Sequence, residues 1–339
     1  MSSLHTSEML QLISGFHVAR ALYVAAKLGV ADALRDGERT CAEIAAATGA
    51  EPQALHRLIR VLASVGVFTL DAAGHVALTP LAATLRTDAP GSLRGWAIDQ
   101  LGGEHYEAWG ELLNSVQSGE CAFERAFGTN AWAHRAENGP SAQDFDDGMA
   151  SLMGAHHQAV LAAYPFAGFE RLFDIAGGDG QFMQAALTAH VQLRGLVLEQ
   201  AHVVPRTEQR LHQAGLMDRC QVVAGDIFES IPSGGSAYLL SRVIHDWNDD
   251  QAARILGVCR RAMTADAVLL LVERVMPTQI DLTPTSRAAT VSDLNMLVMT
   301  GGRERTEAEF RTLLAAAGFG VNKCVATDTV FSVIEARVA

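Results

Sequence analysis

The chain has 339 residues, 49% of them hydrophobic and 19% charged, with a formal net charge of −12. That length accommodates two domains with sizeable cores, and the proportions are those of an ordinary globular protein. An acidic chain with no Lys/Arg-rich block is not expected to bind nucleic acid, because gripping phosphates needs cations gathered on one face.

At the N-terminus, MSSLHTSEML has no basic region followed by an apolar one, so no signal peptide is expected. Met9 to Leu34 reads as a helical segment broken near Gly29. Its apolar residues Leu10, Ile13, Phe16, Val18, Leu22, Val24 and Leu28 cover more than one narrow stripe. Burial against a second subunit explains that excess, which predicts a homodimer. Thr40 and Glu43 form a capping box for a short helix ending at Gly49. Glu51 to Val65 reads as a second helix with Leu55, Leu58, Ile59 and Leu62 on one face. Val67–Leu70 and Val76–Leu78 then bracket a turn at Asp71–Gly74. Helix, helix and two-stranded wing is a winged-helix arrangement, assigned to residues 1–92. It raises a DNA-binding regulator as a distant alternative. Only Arg57 and Arg60 stand ready on the second helix, so a dimerisation module is the better reading.

Residues 93–165 read as a helical connector rich in aromatic and sulfur side chains. Trp96, Tyr106, Trp109, Met149, Met153 and His156 suit the walls of a pocket for a flat apolar ligand. Asn138-Gly-Pro-Ser141 interrupts the segment, with Ser141 as the expected cap.

From residue 166 to 339 the pattern is α/β. Strands are expected at Leu172–Ala176, Gly195–Leu198, Gln221–Ala224, Ala237–Val243 and Val268–Val272. The helices between them include Gln181–His190, Pro205–Ala214 and Asp250–Met263. Thr306 and Glu309 cap a further helix running to Gly318, and an antiparallel hairpin of Val321–Thr327 and Phe331–Ala336 closes the chain. The apolar run Ala267–Val272 is far too short to cross a membrane, and no membrane partner is expected. Five scattered cysteines with no Cys-x-x-Cys pair point to reduced thiols, a cytoplasmic location and no metal site.

The chemistry is expected around the first of these strands. Gly177, Gly178 and Gly180 follow it at once, and a helix follows them, as in the binding loop of a doubly wound domain. Gly178 and Gly180 begin a dinucleotide fingerprint, but Met183 sits where its last glycine belongs, which disfavours a nicotinamide oxidoreductase. Asp174, three residues before the first glycine, suits a ligand carrying a cation. Glu199 ends the second strand, where a carboxylate can accept two ribose hydroxyls. Asp226, Ile227 and Phe228 follow the third strand, a carboxylate beside two apolar side chains that can flank a flat base.

In that order these features are similar to class I S-adenosylmethionine-dependent methyltransferases. His245-Asp246-Trp247 and Gly301-Gly302-Arg303-Glu304-Arg305-Thr306 then make the resemblance specific. They resemble motifs of the small-molecule O-methyltransferase family of plant caffeate and isoflavone enzymes and bacterial polyketide and phenazine tailoring enzymes. The resemblance implies a Rossmann-like, mostly parallel sheet with a C-terminal antiparallel hairpin, preceded by a winged-helix dimerisation domain. It implies S-adenosylmethionine as cofactor, His245 as general base, and Glu273 and Glu304 holding it, with Asp246 beside it. Gly177, Glu199, Asp226 and Ile227 match the cofactor contacts. Ala176 replaces a glycine usual in the family, and Ser241 a frequent lysine, which Arg242 is placed to substitute. Asp293 and Met296 complete the expected acceptor contacts.

A histidine with a pKa of about 6.5 is a competent base toward a phenol of about 10 once a carboxylate fixes its tautomer. The expected activity is O-methylation of a flat aromatic secondary metabolite. The alternative is N-methylation of a heteroaromatic ring nitrogen on the same fold, where no base is needed.

Overall fold

The computed structural model describes residues 3–339, so Met1 and Ser2, the start of the stretch read for a signal peptide, lie outside it. The chain packs as two compact units, Met1–Glu107 with Asn138–Leu152, and Ala108–Glu137 with Met153–Ala339. The stretch 93–165 is therefore shared between the two units.

Up to Glu107 the elements are α1 (Ser3–Leu28), α2 (Val30–Ala33), β1 (Arg39–Thr40), α3 (Cys41–Thr48), α4 (Pro52–Ser64), β2 (Phe68–Leu70), β3 (His75–Leu78), α5 (Pro80–Ala83) and α6 (Arg94–Leu101), with α7 (Gly103–Gly110) beginning there. Gly29 adopts φ 70 and divides α1 from α2, as its position predicts. Thr40 Oγ1 accepts the Glu43 N–H at 3.3 Å while Glu43 Oε2 accepts the Thr40 N–H at 2.8 Å, the reciprocal cap read from the sequence. Leu55, Ile59 and Leu62 of α4 are buried with Val30, Leu34, Ile44, Phe68 and Val76. The wing gains a third strand that the sequence reading did not include, because Arg39 and Thr40 pair with β3. By contrast, Met9, Leu10, Leu12, Ile13 and Phe16 of α1 are each more than half exposed. His5–Leu28 is also long and apolar enough, by length and composition, to cross a bilayer, although it contains no long wholly apolar run.

The chain continues through α8 (Leu112–Ser118), α9 (Ala122–Phe127), α10 (Ala131–Glu137) and α11 (Gly139–Ala163). At the start of α11 it is Asn138 whose Oδ1 accepts the Ser141 N–H, so Asn138 and not Ser141 caps the helix. The α/β part follows as β4 (Arg171–Ile175), α12 (Gln181–Ala189), β5 (Arg194–Glu199), α13 (Val204–Gln213), β6 (Cys220–Ala224), β7 (Ala237–Ser241), α14 (Asp249–Ala262) and β8 (Val268–Glu273). It ends with β9 (Val275–Met276), α15 (Pro284–Met299), β10 (Arg305–Thr306), α16 (Glu307–Ala316), β11 (Phe319–Ala326) and β12 (Ser332–Val338).

The large sheet has the order β11-β12-β8-β7-β4-β5-β6. β4 to β8 run parallel, while β12 and β11 are antiparallel. The chain winds outward from β4 through β5 to β6, then returns to β7 on the other side of β4. The carboxyl end of β4 is therefore the switch point at which such sheets bind ligands. Met183 does what a third glycine would do from the opposite partner. It is fully buried, and a Cβ on Gly195 of β5 would collide with its sulfur, so the glycine that lets helix meet strand sits in the strand.

Candidate active site

Two side-chain clusters stand beyond the carboxyl ends of the parallel strands. The first surrounds the glycine loop. Ala176, Gly178 and Gly180 all adopt positive φ, turning the chain back over Asp174. A Cβ on Gly177 would lie 2.7 Å from the Asp174 carboxyl carbon and 2.9 Å from Val197, so only glycine fits there. Asp174 is 1% exposed, and neither carboxylate oxygen has a hydrogen-bond partner. Burial, helped by the charge on Glu199, pushes its carboxyl up to about 7. The Gly178 N–H donates to Glu199 Oε2 at 2.9 Å, and Thr207 Oγ1 of α13 donates to the Gly178 carbonyl at 2.8 Å. Glu199 Oε1 accepts the Gln200 N–H at 2.7 Å. Arg210 pairs with Asp179, so α13 braces the loop from outside. After β6, Asp226 Oδ1 accepts the Phe228 N–H at 2.8 Å and sets the turn presenting Ile227 and Phe228.

The second cluster is built on His245, which is 2% exposed. Its Nδ1 lies 3.0 Å from Glu304 Oε1 and 3.9 Å from Glu273 Oε2, and its Nε2 lies 3.8 Å from Asp246. Glu273 Oε1 accepts the N–H groups of Val243 and Ile244 at 3.1 and 2.8 Å, tying the end of β8 to the turn that carries the histidine. Glu304 Oε1 also accepts Ser292 Oγ at 2.6 Å and Arg274 Nη1 at 3.4 Å. Asp293 Oδ1 anchors the Glu304 N–H at 2.9 Å. Burial raises the carboxyl of Glu304, but His245, Ser292 and Arg274 outweigh it and hold it below the ordinary range. Glu304 is therefore ionised and accepts a hydrogen bond from Nδ1–H, which leaves Nε2 for chemistry. For Glu273 burial dominates and pushes the carboxyl to about 7, and it likewise raises that of Asp246. For His245 burial opposes the charge, but Glu304, Asp246 and Glu273 together raise the imidazole to about 9. The ordinary value expected from sequence is thus corrected upward by three carboxylates.

The loop after α15 locks this cluster. The Arg303 N–H donates to the His245 carbonyl at 2.9 Å. A Cβ on Gly302 would collide with the backbone from His245 to Trp247. Arg305, 1% exposed, donates to the carbonyls of Ile244 at 3.0 Å and Trp247 at 2.8 Å and to Asp249.

Gly302 and Arg305 lie inside a motif quoted from sequence, but their backbone-clamping role was missed, because it depends on a contact some 60 positions away. Ser292 left no local signal.

Other expected site residues are placed as follows. Ser241 ends β7, and Arg242, at φ 55, directs Nη1 at Met153 Sδ (3.4 Å) and its guanidinium at the Phe331 ring. Arg242 thus packs against Met153 and Phe331. His156 meets Phe331 edge-on at 4.8 Å. Trp109 Nε1 donates to Asn295 Oδ1 of α15, and Met296 on the same helix is buried. Trp96, on α6, and Met149, on α11, belong to the first unit and are partly buried. Tyr106, in the first unit, is 42% exposed, stacks on Phe16 and lies under the Arg20 guanidinium.

The switch-point loop and strand-end carboxylates define a Rossmann-like S-adenosylmethionine-dependent methyltransferase. The chain belongs to the O-methyltransferase family: the O-methyltransferase domain matches residues 109–320, and the O-methyltransferase dimerisation domain matches residues 10–88. It is 41% identical over 332 residues to a phenazine O-methyltransferase of Lysobacter antibioticus, spanning 98% of this chain and 96% of that protein. Its fold is similar to the crystal structure of LaPhzM, with TM-score 0.94 and 41% identity over 98% of this chain and 99% of that one. It is also similar to an O-methyltransferase from neocarzinostatin biosynthesis solved with S-adenosylmethionine and 2-hydroxy-5-methyl naphthoic acid. That match has TM-score 0.83 and 34% identity, covering 95% of this chain and 96% of the other. S-adenosylmethionine is the cofactor, and the first cluster fits it: an orphaned buried carboxylate and a second strand-end acid under a side-chain-free turn suit a cationic ligand with a ribose diol.

Proposed function

We propose that this chain, as a homodimer, methylates a phenolic hydroxyl of a flat aromatic secondary metabolite of phenazine or polyketide type, with His245 managing the hydroxyl proton. The observation that carries the reading is His245 itself, buried and bonded through Nδ1 to an ionised Glu304. Asp174, Gly177, Gly178, Glu199, Asp226, Ile227 and Phe228 would hold the cofactor. Bound there, it supplies a methyl group already activated by its sulfonium charge. The residues around His245 then have one task, which is to make the acceptor oxygen nucleophilic at the right place.

Glu304 fixes the tautomer, so the free Nε2 receives the phenol proton. With the imidazole raised to about 9 and a phenol at about 10, transfer between them is nearly balanced, costing roughly 1.4 kcal/mol. At neutral pH an imidazole at about 9 is mostly protonated, so the same proton-transferred complex is also reached when the imidazolium takes up phenolate. Glu304 and Glu273 stabilise that charge separation.

His245→Ala should lower kcat by roughly 10²–10⁴ while leaving S-adenosylhomocysteine affinity intact, and the lost rate should return as pH rises and solvent ionises the phenol. A variant with wild-type rate on a hydroxyl acceptor would remove His245 from the chemistry. Methylation of ring-nitrogen acceptors alone would replace this reading by N-methylation.

A further inference from the structure

Three carboxylates face His245: Asp246 beside it, Glu273 at the end of β8 and Glu304 in the loop after α15. Their charge alone does not decide which ring nitrogen keeps its hydrogen. If Glu304 took the Nδ1 proton, the neutral ring would carry its hydrogen on Nε2 and could not receive one from an acceptor hydroxyl. The donors gathered on Glu304 bear on that choice. Its Oε1 accepts Ser292 Oγ at 2.6 Å and Arg274 Nη1 at 3.4 Å, and the same oxygen takes the His245 Nδ1–H at 3.0 Å. Its Oε2 is buried and has no hydrogen-bond partner. Glu273 differs, because its Oε1 is occupied by two backbone N–H groups and its Oε2 stands 3.9 Å from Nδ1, beyond hydrogen-bond reach. Arg242 and Arg135 act on Asp246, and Arg242 also acts on Arg274. An oxygen that already accepts from a hydroxyl and a guanidinium resists protonation, since hydrogen bonds to the charged form favour it. The imidazolium gives Glu304 a counter-charge only while it lasts, whereas Arg274 gives one in both states of the ring.

We propose that Arg274 and Ser292 are positioning residues that lock the tautomer of His245: by holding Glu304 as an anion while the ring is neutral, they keep the hydrogen on Nδ1 and the lone pair on Nε2. This rests on the reading of His245 as the group that manages the acceptor's proton. The proton that the imidazolium later releases to solvent then leaves from Nε2, and the Nδ1–H bond persists through the cycle. Neither residue touches the acceptor in this role, and both act through Glu304.

The test compares wild type with Ser292→Ala, Arg274→Gln and Arg274→Lys, each as the full chain. The tautomer is read by NMR of isotope-labelled imidazole nitrogens with S-adenosylhomocysteine bound, at a pH just above the His245 value of about 9. The His245 signals are assigned by their loss in His245→Ala. Turnover of 2-naphthol and 1-hydroxyphenazine gives kcat, KM and the pH profile. Wild type should carry the hydrogen on Nδ1. Ser292→Ala and Arg274→Gln should move part of it to Nε2 and lower kcat roughly 10- to 100-fold, with KM and S-adenosylhomocysteine affinity nearly unchanged. Arg274→Gln should also shift the kcat/KM profile to higher pH, because a cation beside the His245–Glu304 pair is gone. Arg274→Lys keeps that charge and should stay near wild type in tautomer and profile. Should Arg274→Gln not fold, Ser292→Ala carries the same reading. A wild-type ring with its hydrogen on Nε2 would overturn the lock. Variants that keep the wild-type tautomer would overturn it too, whatever their rate. Failure of wild type to methylate any hydroxyl acceptor, with the tautomer changes intact, would instead overturn the O-methyltransferase reading of the site.

Discussion

His245 has an unusual environment for a base at neutral pH, because three buried carboxylates hold its proton. If the reaction draws on neutral imidazole and neutral phenol, kcat/KM should climb with pH and level off only at about 9. Glu304→Gln, which removes the largest charge raising that value, should move the midpoint down and slow the reaction. A profile levelling off at the ordinary histidine value would show that the carboxylates do not act on the base. The same shift enters stability. The folded value lies above the unfolded one of 6.5, so this contribution is full below pH 6.5 and disappears as pH rises through about 9. Asp174, raised to about 7, acts in the same sense in a lower window: its contribution is full below its ordinary 3.8 and is lost as pH rises through about 7. Urea titrations at pH 4, 7 and 9.5 should therefore give decreasing stability from these groups. Ala176 offers a cleaner residue-scale test. It occupies φ 55, a region that costs a side chain roughly 1 kcal/mol and a glycine nothing. Ala176→Gly should raise the unfolding midpoint by a stabilisation of about 0.5 kcal/mol, less than the strain because glycine also frees the unfolded chain. A lower midpoint would mean that the Cβ packs better than it strains.

Local chemistry made most elements legible. The capping boxes at Thr40 and Thr306 signal helix starts within four residues, and both form as read. Strand cores such as Leu239–Leu240 and Leu269–Leu271 are apolar on both faces, the pattern of a sheet covered by helices on each side. α15 was not read as a helix because its buried positions, Ser286, Ala289, Met296, Val298 and Met299, mix polar with apolar and follow no single stripe. Thr283 and Pro284 did carry its start signal, a capping hydroxyl and a proline in the first turn. That omission hid Ser292, and with it part of how Glu304 is held. The loop from Gly301 to Arg305 is another long-range feature, since its function is to clamp the turn at residues 244–247. Arg305→Met should destabilise the protein by about 2–4 kcal/mol, because the carbonyls of Ile244 and Trp247 lose a buried charged donor. Gly302→Ala should cost stability, because its Cβ meets the backbone of residues 245–247, and should also cut kcat, roughly 10²-fold for a shift of about 1 Å in the histidine turn. Wild-type kcat in Gly302→Ala would show that the turn tolerates displacement.

For the molecule as a whole, the exposed face of α1 is the unresolved energetic problem. Met9, Leu10, Leu12, Ile13 and Phe16 lie on a helix with 17% of its most apolar window buried, a composition that suits either a bilayer or another protein surface. Isolated apolar residues on a surface need no explanation, but five large ones within eight positions do. The match of residues 10–88 to a dimerisation domain favours a second copy of the chain as the cover. An apolar helix face covered by its symmetry mate leaves no solvent-exposed remainder, whereas an anchoring helix would leave the protein bound to lipid. Light scattering of the full chain should therefore give about twice 36.2 kDa, and the protein should remain unbound when floated with liposomes. Leu12→Asp with Phe16→Asp should put charge into that contact and yield monomer or aggregate at concentrations where wild type is dimeric. A monodisperse 36.2 kDa wild-type chain that floats with liposomes would assign the face to a membrane surface. A double variant that stays dimeric would move the subunit contact off α1 altogether.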